Sequence, residues 1–171
     1  MKNDAGRFII DLARLDKTGE EISGETSIEA FDYDTEFVHP LSGVIYRVFA
    51  QITGSELLVR GSLEADFTAL CSRCSKEFTF TAEVPDYTAS FEINEKIEYF
   101  DLTNDVRESI ILALPTYPVC REDCKGLCAK CGKDLNESPC ECAIQSGDGR
   151  WNALDALVVE GNEDRKEKER R

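Results

Sequence analysis

Histidine occurs once in these 171 residues, as do tryptophan and methionine. The lone histidine, His39, stands beside Pro40 and reads as a loop residue. That leaves little for a catalytic zinc centre, which keeps an open position beside three ligands that often include imidazole. No apolar run approaches the ~18–20 residues that cross a bilayer. The opening MKNDAGRFII has no apolar stretch followed by a small-residue cleavage site. No nucleophile elbow, phosphate loop or H-E-x-x-H pattern occurs. The expectation is a soluble cytoplasmic protein with no catalytic residues, no membrane partner and no small-molecule substrate: not an enzyme. Positive charge is scarce too: 20 Lys and Arg against 34 Asp and Glu give a net charge of -14. Such a surface repels the phosphate backbone, and non-specific nucleic-acid binding is mostly phosphate neutralisation. RNA must then meet a local basic patch, or the direct partner is itself a basic protein.

Cysteine, by contrast, is plentiful and patterned. All eight cysteines lie between residues 71 and 142, in the pairs Cys71-Cys74, Cys120-Cys124, Cys128-Cys131 and Cys140-Cys142. In a reducing compartment, close pairs favour metal over disulfides. Eight thiolates are two complete sets for closed, tetrahedral, structural zinc. Cys128, Cys131 and Gly132 form a zinc knuckle, in which Gly132 can take the positive φ that turns backbone N–H groups toward sulfur. Cys140 and Cys142 can close that site locally, and Cys71, Cys74, Cys120 and Cys124 then share a second site that closes a long loop. The competing grouping sets Cys120, Cys124, Cys128 and Cys131 together and leaves Cys71 and Cys74 to Cys140 and Cys142. A redox C-x-x-C would want a thioredoxin-like βαβ context, and an iron–sulfur cluster fits separate pairs less well than zinc. Each zinc site adds a charge of about -2. Arg73, Lys76, Arg121, Lys125, Lys130 and Lys133 flank the ligands, either to offset that charge or to form a patch for RNA or another partner.

The predicted fold is α+β: an antiparallel β meander or small, partly open barrel with one or two helices and a cysteine-rich zinc-binding C-terminal segment. Residues 7–12 can form a strand, and residues 17–29 read as polar loop followed by an edge strand. From Val44 the alternation sharpens through Val48, Ala50 and Ile52, turns at Gly54-Ser55 as a type II′ hairpin, and resumes through Leu57, Val59, Leu63, Ala65, Phe67 and Ala69. The Cys71-Cys74 pair falls where this strand turns into Phe78–Val84. Pro85 then interrupts before a fourth strand at residues 87–93. The four-residue recurrence of Leu102, Val106, Ile110 and Leu114 predicts a helix, capped by Asp101 or Thr103 and stopped by Pro115. The domains expected are a β body at 1–118 with packing helix 102–114, a zinc-binding segment at 119–143, a C-terminal helix at 150–160 around Trp151, and a disordered tail at 161–171.

Read together, Cys71-Ser72-Arg73-Cys74, Ile111 to Pro115, Pro118-Val119-Cys120, Lys125 to Cys128, Cys131-Gly132, Asp134-Leu135-Asn136, Cys140-Glu141-Cys142, Arg150-Trp151 and Leu154 resemble the YceD family, the large ribosomal RNA subunit accumulation proteins. The resemblance covers roughly residues 44 to 158. It implies a bacterial or plastid factor needed for large-subunit rRNA to accumulate, here a bacterial cytoplasmic one. It places Cys71, Cys74, Cys120 and Cys124 at ligand-like positions. Some members lack the block equivalent to 128–142, which implies an added local site. Catalytic residues are not implied. The partner expected is a large-subunit rRNA precursor or a basic ribosomal protein. A zinc-stapled protein–protein adaptor unrelated to ribosomes is the alternative, and an rRNA-processing enzyme using carboxylates such as Asp66, Glu83 or Glu92 is a third class.

Overall fold

A computed structural model describes residues 6–142 apart from 17, 32–34 and 95–96. In chain order it holds β1 (Ile9–Asp11), β2 (Glu20–Glu25), a 3-10 turn at Ile28–Phe31, β3 (Val38–Pro40), β4 (Ile45–Thr53), β5 (Glu56–Leu70), β6 (Glu77–Glu92), β7 (Tyr99–Asp101) and α1 (Thr103–Ala113). The expected C-terminal helix and tail lie outside the described residues. The long strands β4, β5 and β6 form an antiparallel meander within a sheet that curls into a half-barrel. Outside it, β2 pairs with β4, while β1 and β7 form a separate two-stranded ribbon.

The alternation that marks these strands is the alternation that fills the core. Tyr46, Val48 and Ala50 of β4 and Leu57, Val59, Leu63, Ala65, Phe67 and Ala69 of β5 are all buried. One pleated face carries them, because side chains two apart share a face. Phe8, Ile10 and Phe31 close over that face from the N-terminal segment. Phe8 stacks on Tyr46 with ring centroids 3.9 Å apart. The β4–β5 connection is the two-residue turn Gly54-Ser55, and Gly54 takes φ 64 as a type II′ turn requires.

Helix α1 presents Val106 and Ile110 to the core, with Leu102 fully buried just before it, while Leu112 on the opposite side is 86% exposed. Its start differs from the expected cap. Leu102 is the N-cap residue and makes no side-chain cap bond. Asp101 instead accepts the Thr103 N–H at 3.0 Å, and the Thr103 hydroxyl accepts the Phe8 N–H at 2.8 Å. The helix N-terminus thus fastens the N-terminal strand. At the other end Leu114 is extended, the conformation forced on a residue before proline.

Three expectations need correction. Residues 20–25 are a strand, not loop. As an edge strand facing solvent on both sides, β2 half-buries only Ile22 among its apolar residues, so alternation could not reveal it. Pro85 does not end a strand either. β6 continues through it, because the register slips between Gly61↔Tyr87 and Leu63↔Val84, so that Pro85 and Asp86 together face Ser62. A proline in such a bulge forfeits no ladder hydrogen bond. Finally, His39 is not in a loop but in β3, opposite Thr68 of β5.

The Tyr87 hydroxyl, on β6, donates to the Asp105 carboxylate on α1. Burial first, and then that carboxylate, push the Tyr87 phenol well above its ordinary pKa. Hydrogen bonds to charged groups contribute about 1.5–3 kcal/mol. Tyr87→Phe is therefore expected to lower unfolding free energy by about that amount, read from urea denaturation of the metal-loaded protein.

Candidate metal centre

The β5–β6 turn delivers the first two sulfurs. The Cys71 N–H donates to the Lys76 carbonyl at 2.9 Å, the Ser75 N–H returns to the Cys71 carbonyl at 2.8 Å, and Ser75 takes the left-handed φ of 58 that closes the turn. The segment after α1 then lies across this turn. The Ser72 N–H donates to the Pro118 carbonyl at 2.8 Å, and the Cys120 N–H points at the Cys71 sulfur at 3.4 Å. Cys71, Cys74, Cys120 and Cys124 converge, with Cys71, Cys74 and Cys124 buried against Phe78 and Val119. Cys128, Cys131, Cys140 and Cys142 form a second, more exposed group. Of the two groupings the sequence leaves open, the structure forms this one.

The donor sets fit a metal. Within each group the four Sγ atoms lie within 4.8 Å of one another. The Cys71–Cys124 and Cys74–Cys120 sulfurs are 3.9 and 3.8 Å apart. A tetrahedron with metal–sulfur bonds of about 2.3 Å has edges of about 3.8 Å. Four thiolates that close together need a cation, and the acidities express this. Burial pushes the Cys71 thiol up, but N–H groups of Cys120, Cys74 and Arg73 outweigh it and bring the thiol down to about 6. Burial and the neighbouring thiols Cys71, Cys124 and Cys74 push Cys120 up to about 12. In the second group the N–H groups of Cys131 and Lys130 bring Cys128 down to about 6, while Cys131, burial and Cys128 push Cys142 up to about 12.

A metal-free cluster therefore keeps much of its proton load at neutral pH, and loading expels it. Metal affinity is expected to fall as pH falls, most steeply below about pH 6, where even the Cys71 and Cys128 thiolates are protonated. Metal retained after dialysis across a pH series reads this out directly.

The second group is built on a short loop. The Cys128 N–H donates to the Lys133 carbonyl and the Gly132 N–H to the Cys128 carbonyl, both at 2.8 Å, with Gly132 at φ 71 as the knuckle expects. Leu127 pairs with Asp134 in an antiparallel bridge. Gly126 is the joint between the groups: the Leu127 N–H donates to the Arg73 carbonyl at 3.0 Å, and a Cβ on Gly126 would stand 2.8 Å from that same carbonyl oxygen. With φ at 73 as well, Gly126→Ala is expected to lift the second loop off the first hairpin. Faster hydrogen exchange at Leu127 and Leu135, with exchange in β5 unchanged, checks this.

The basic residues near the ligands are mostly engaged within the chain. The Arg73 guanidinium donates to the Glu122 and Cys124 carbonyls at 2.9 and 3.0 Å. Lys76 reaches Asp134 and Glu137, each at 2.8 Å. Arg121 donates to the Asn136 side-chain oxygen at 2.8 Å and pairs with Asp123, and Lys133 donates to the Pro139 carbonyl at 3.2 Å. Lys130 also has a partner. Lys125 is exposed, and its backbone N–H goes to Asn136. Lys76 and Arg121 brace the two loops against each other, Arg73 ties the first hairpin to residues 122–124, and Lys133 stays within its own loop. The carboxylates Asp66, Glu83 and Glu92 are exposed on their strands. Asp66 accepts from the Thr81 hydroxyl at 2.7 Å, while Glu83 and Glu92 stand opposite Glu64 and Glu56.

Two site residues escaped any assigned role in the sequence: Asp134 and Asn136. The Lys76 ammonium first, then the Asn136 N–H, hold the Asp134 carboxyl down to about 2. An Asp and an Asn two residues apart between cysteine pairs is an Asx-turn signal, and that could have identified them.

Fold and site together define a protein class: an antiparallel β scaffold whose longest hairpin and following segment carry two four-cysteine clusters able to hold metal. The chain is similar to the YceD family: residues 85–158 match the family model described as Large ribosomal RNA subunit accumulation protein YceD. The match begins later than the resemblance at residue 44 suggested, after Cys71 and Cys74, and takes in the end of β6, β7, α1 and the other six cysteines. The chain is 26% identical over 72 residues to Large ribosomal RNA subunit accumulation protein YCED homolog 1, chloroplastic, of Arabidopsis thaliana, covering 42% of this chain and 22% of that protein. It is 30% identical over 112 residues to an uncharacterized protein of Mycobacterium tuberculosis strain H37Rv, covering 57% and 54%. With an uncharacterized protein of Mycobacterium leprae it shares 33% over 98 residues, covering 49% and 45%. The chain thus spans about half the length of these mycobacterial relatives and less of the plant one. No solved structure matches. No helix among the described residues is long and apolar enough to cross a membrane.

Proposed function

We propose that this chain is a non-enzymatic factor for large-subunit ribosomal RNA accumulation, acting in the bacterial cytoplasm, with two structural zinc ions. The observation that carries the reading is the pairing of two complete four-thiolate clusters with the YceD match over residues 85–158. Four thiolates saturate a tetrahedral zinc and leave no position for substrate or activated water, so the metal's task is to hold shape. The partner is on the large-subunit precursor. A basic ribosomal protein suits it better than bare rRNA, because the net charge is -14 and the cations around the clusters are largely spent inside the chain.

The test is depletion of the protein in its own host, followed by the ratio of large- to small-subunit rRNA. A selective fall in the large-subunit rRNA is expected. An unchanged ratio with impaired growth would defeat the reading and leave an adaptor role outside the ribosome.

A further inference from the structure

Asp134-Leu135-Asn136 belongs to the second cluster's loop, yet its polar atoms are directed at the first cluster. The Asn136 side-chain NH2 donates to the Cys124 sulfur at 3.5 Å and to Asp134 Oδ1 at 2.7 Å. Its carbonyl oxygen accepts from the Lys125 N–H and the Arg121 guanidinium, both at 2.8 Å. The amide has one workable orientation. Turned over, it would set its NH2 against two donors and its oxygen against a sulfur and a carboxylate. Asp134 holds Asn136 in place by accepting its backbone N–H at 2.8 Å, and Asp134 is itself held by Lys76 from the first cluster's hairpin.

The first cluster supplies one of its own sulfur donors, since the Cys120 N–H faces Cys71. It borrows the donor for Cys124 from the second loop. Between Cys131 and Pro139 that loop has a single large apolar side chain, Leu135. Its own burial cannot offset the entropy of ordering it, so its shape depends on closure at the second cluster. An N–H directed at a thiolate stabilises the charged sulfur, and donors of this kind set a site's metal affinity.

We propose that Asn136 couples the two clusters: metal at Cys128, Cys131, Cys140 and Cys142 orders the loop, the loop sets Asn136 against Cys124, and the first cluster then holds its metal more tightly. By linkage the coupling is reciprocal, so a loaded first cluster tightens the second by the same factor. Asn136 is a positioning residue that ligates nothing. The proposal rests on the metal-binding part of the proposed function and is independent of any role with rRNA.

The test is a competition titration of the full-length protein against a chromophoric chelator with Zn2+, repeated with Co2+ to read the sulfur-to-metal charge-transfer band. Asn136→Ala keeps all eight thiols and is expected to lower first-cluster affinity 10–100-fold. Cys131→Ser, which disables the second cluster, is expected to lower first-cluster affinity by a similar factor. Adding Asn136→Ala to Cys131→Ser should change it by no more than about twofold. In a Cys74→Ser background, where only the second cluster binds, Asn136→Ala should leave affinity within about twofold, which excludes general misfolding of the loop. Asn136→Asp keeps an oxygen facing Lys125 and Arg121 but loses the donor to sulfur. It should be no better than alanine and should shift the first cluster's charge-transfer band. The proposal is overturned if Asn136→Ala leaves first-cluster affinity intact, if its effect adds in full to that of Cys131→Ser, or if Asn136→Asp restores affinity. A wild-type chain that binds fewer than two metals overturns the proposal and the metal reading together.

Discussion

Cys74→Ser is expected to free the β5–β6 hairpin from residues 118–124 and cost the whole protein stability, while Cys131→Ser leaves that junction closed. The difference lies in what each cluster ties together. Cys74 and Cys120 are 46 residues apart in sequence, with β6, β7 and α1 between them. Loop-closure arithmetic for a cross-link of that span gives about 4 kcal/mol, against about 2.7 kcal/mol for a loop of about 10 residues such as 131–140. Cys74 is also buried, so its serine leaves a polar group and three uncompensated thiols in a pocket lined by Phe78 and Val119. Cys131 is exposed and its loss is felt first in its own loop. Native mass spectrometry should find one metal in each variant. The urea midpoint should fall markedly for Cys74→Ser and by much less for Cys131→Ser. Equal midpoints would show that neither cluster bears on the β body more than the other.

How much of this was legible in the sequence depended on what each residue faces. The strands β4 and β5 were legible because one face is buried and the other wet, which writes a period of two from Val48 to Ala69. Helix α1 was legible for the same reason at its own period. β2 was not, because an edge strand in which Ile22 is the one large apolar residue among Glu20, Glu21, Ser23, Gly24 and Glu25 buries too little to leave a pattern. Pro85 misled because its usual effect on a strand is absorbed by a bulge, a feature of the pairing with β5 and invisible in β6 alone. The cysteine pairs announced two clusters by number and spacing, yet spacing could not assign Cys120 and Cys124 to either neighbour. That choice is made by tertiary contacts, the Ser72 N–H on the Pro118 carbonyl and the Cys120 N–H on the Cys71 sulfur. The basic residues looked like a patch in one dimension. In three dimensions Arg73, Lys76 and Arg121 also reach carbonyls, a carboxylate and an amide across the two loops, contacts that their spacing does not announce.

Complete removal of metal is expected to melt residues 115–142 and spare the β body. The two regions are held by different forces. The body buries Phe8, Ile10, Phe31, Leu57, Val59, Leu63, Phe67, Leu102, Val106 and Ile110, and at about 1.5–3 kcal/mol for each large side chain fully buried it has its own source of stability. The cysteine segment has no comparable core: its buried cluster is Cys71, Cys74 and Cys124, with Phe78, Val119 and Cys120 only partly covered. Without a cation the thiols must carry protons or repel one another, and an apparent contribution of about 10–16 kcal/mol from a structural zinc is lost. Bonds within the segment, such as the Cys128 N–H to the Lys133 carbonyl and the Leu135 N–H to the Gly126 carbonyl, are short-range, and the few that reach the hairpin, such as the Leu127 N–H to the Arg73 carbonyl, replace neither metal. Chelation at neutral pH should therefore strip hydrogen-exchange protection from Leu127, Cys128, Gly132 and Leu135 while Val59, Leu63 and Ala65 keep most of theirs. Readdition of Zn2+ should restore the lost protection. Some loss of β5 protection follows from losing the long-range staple; if chelation unprotects β5 as fully as residues 115–142, the body has no stability of its own and the division between scaffold and stapled segment fails. If it unprotects neither, the segment is held by contacts other than its sulfurs.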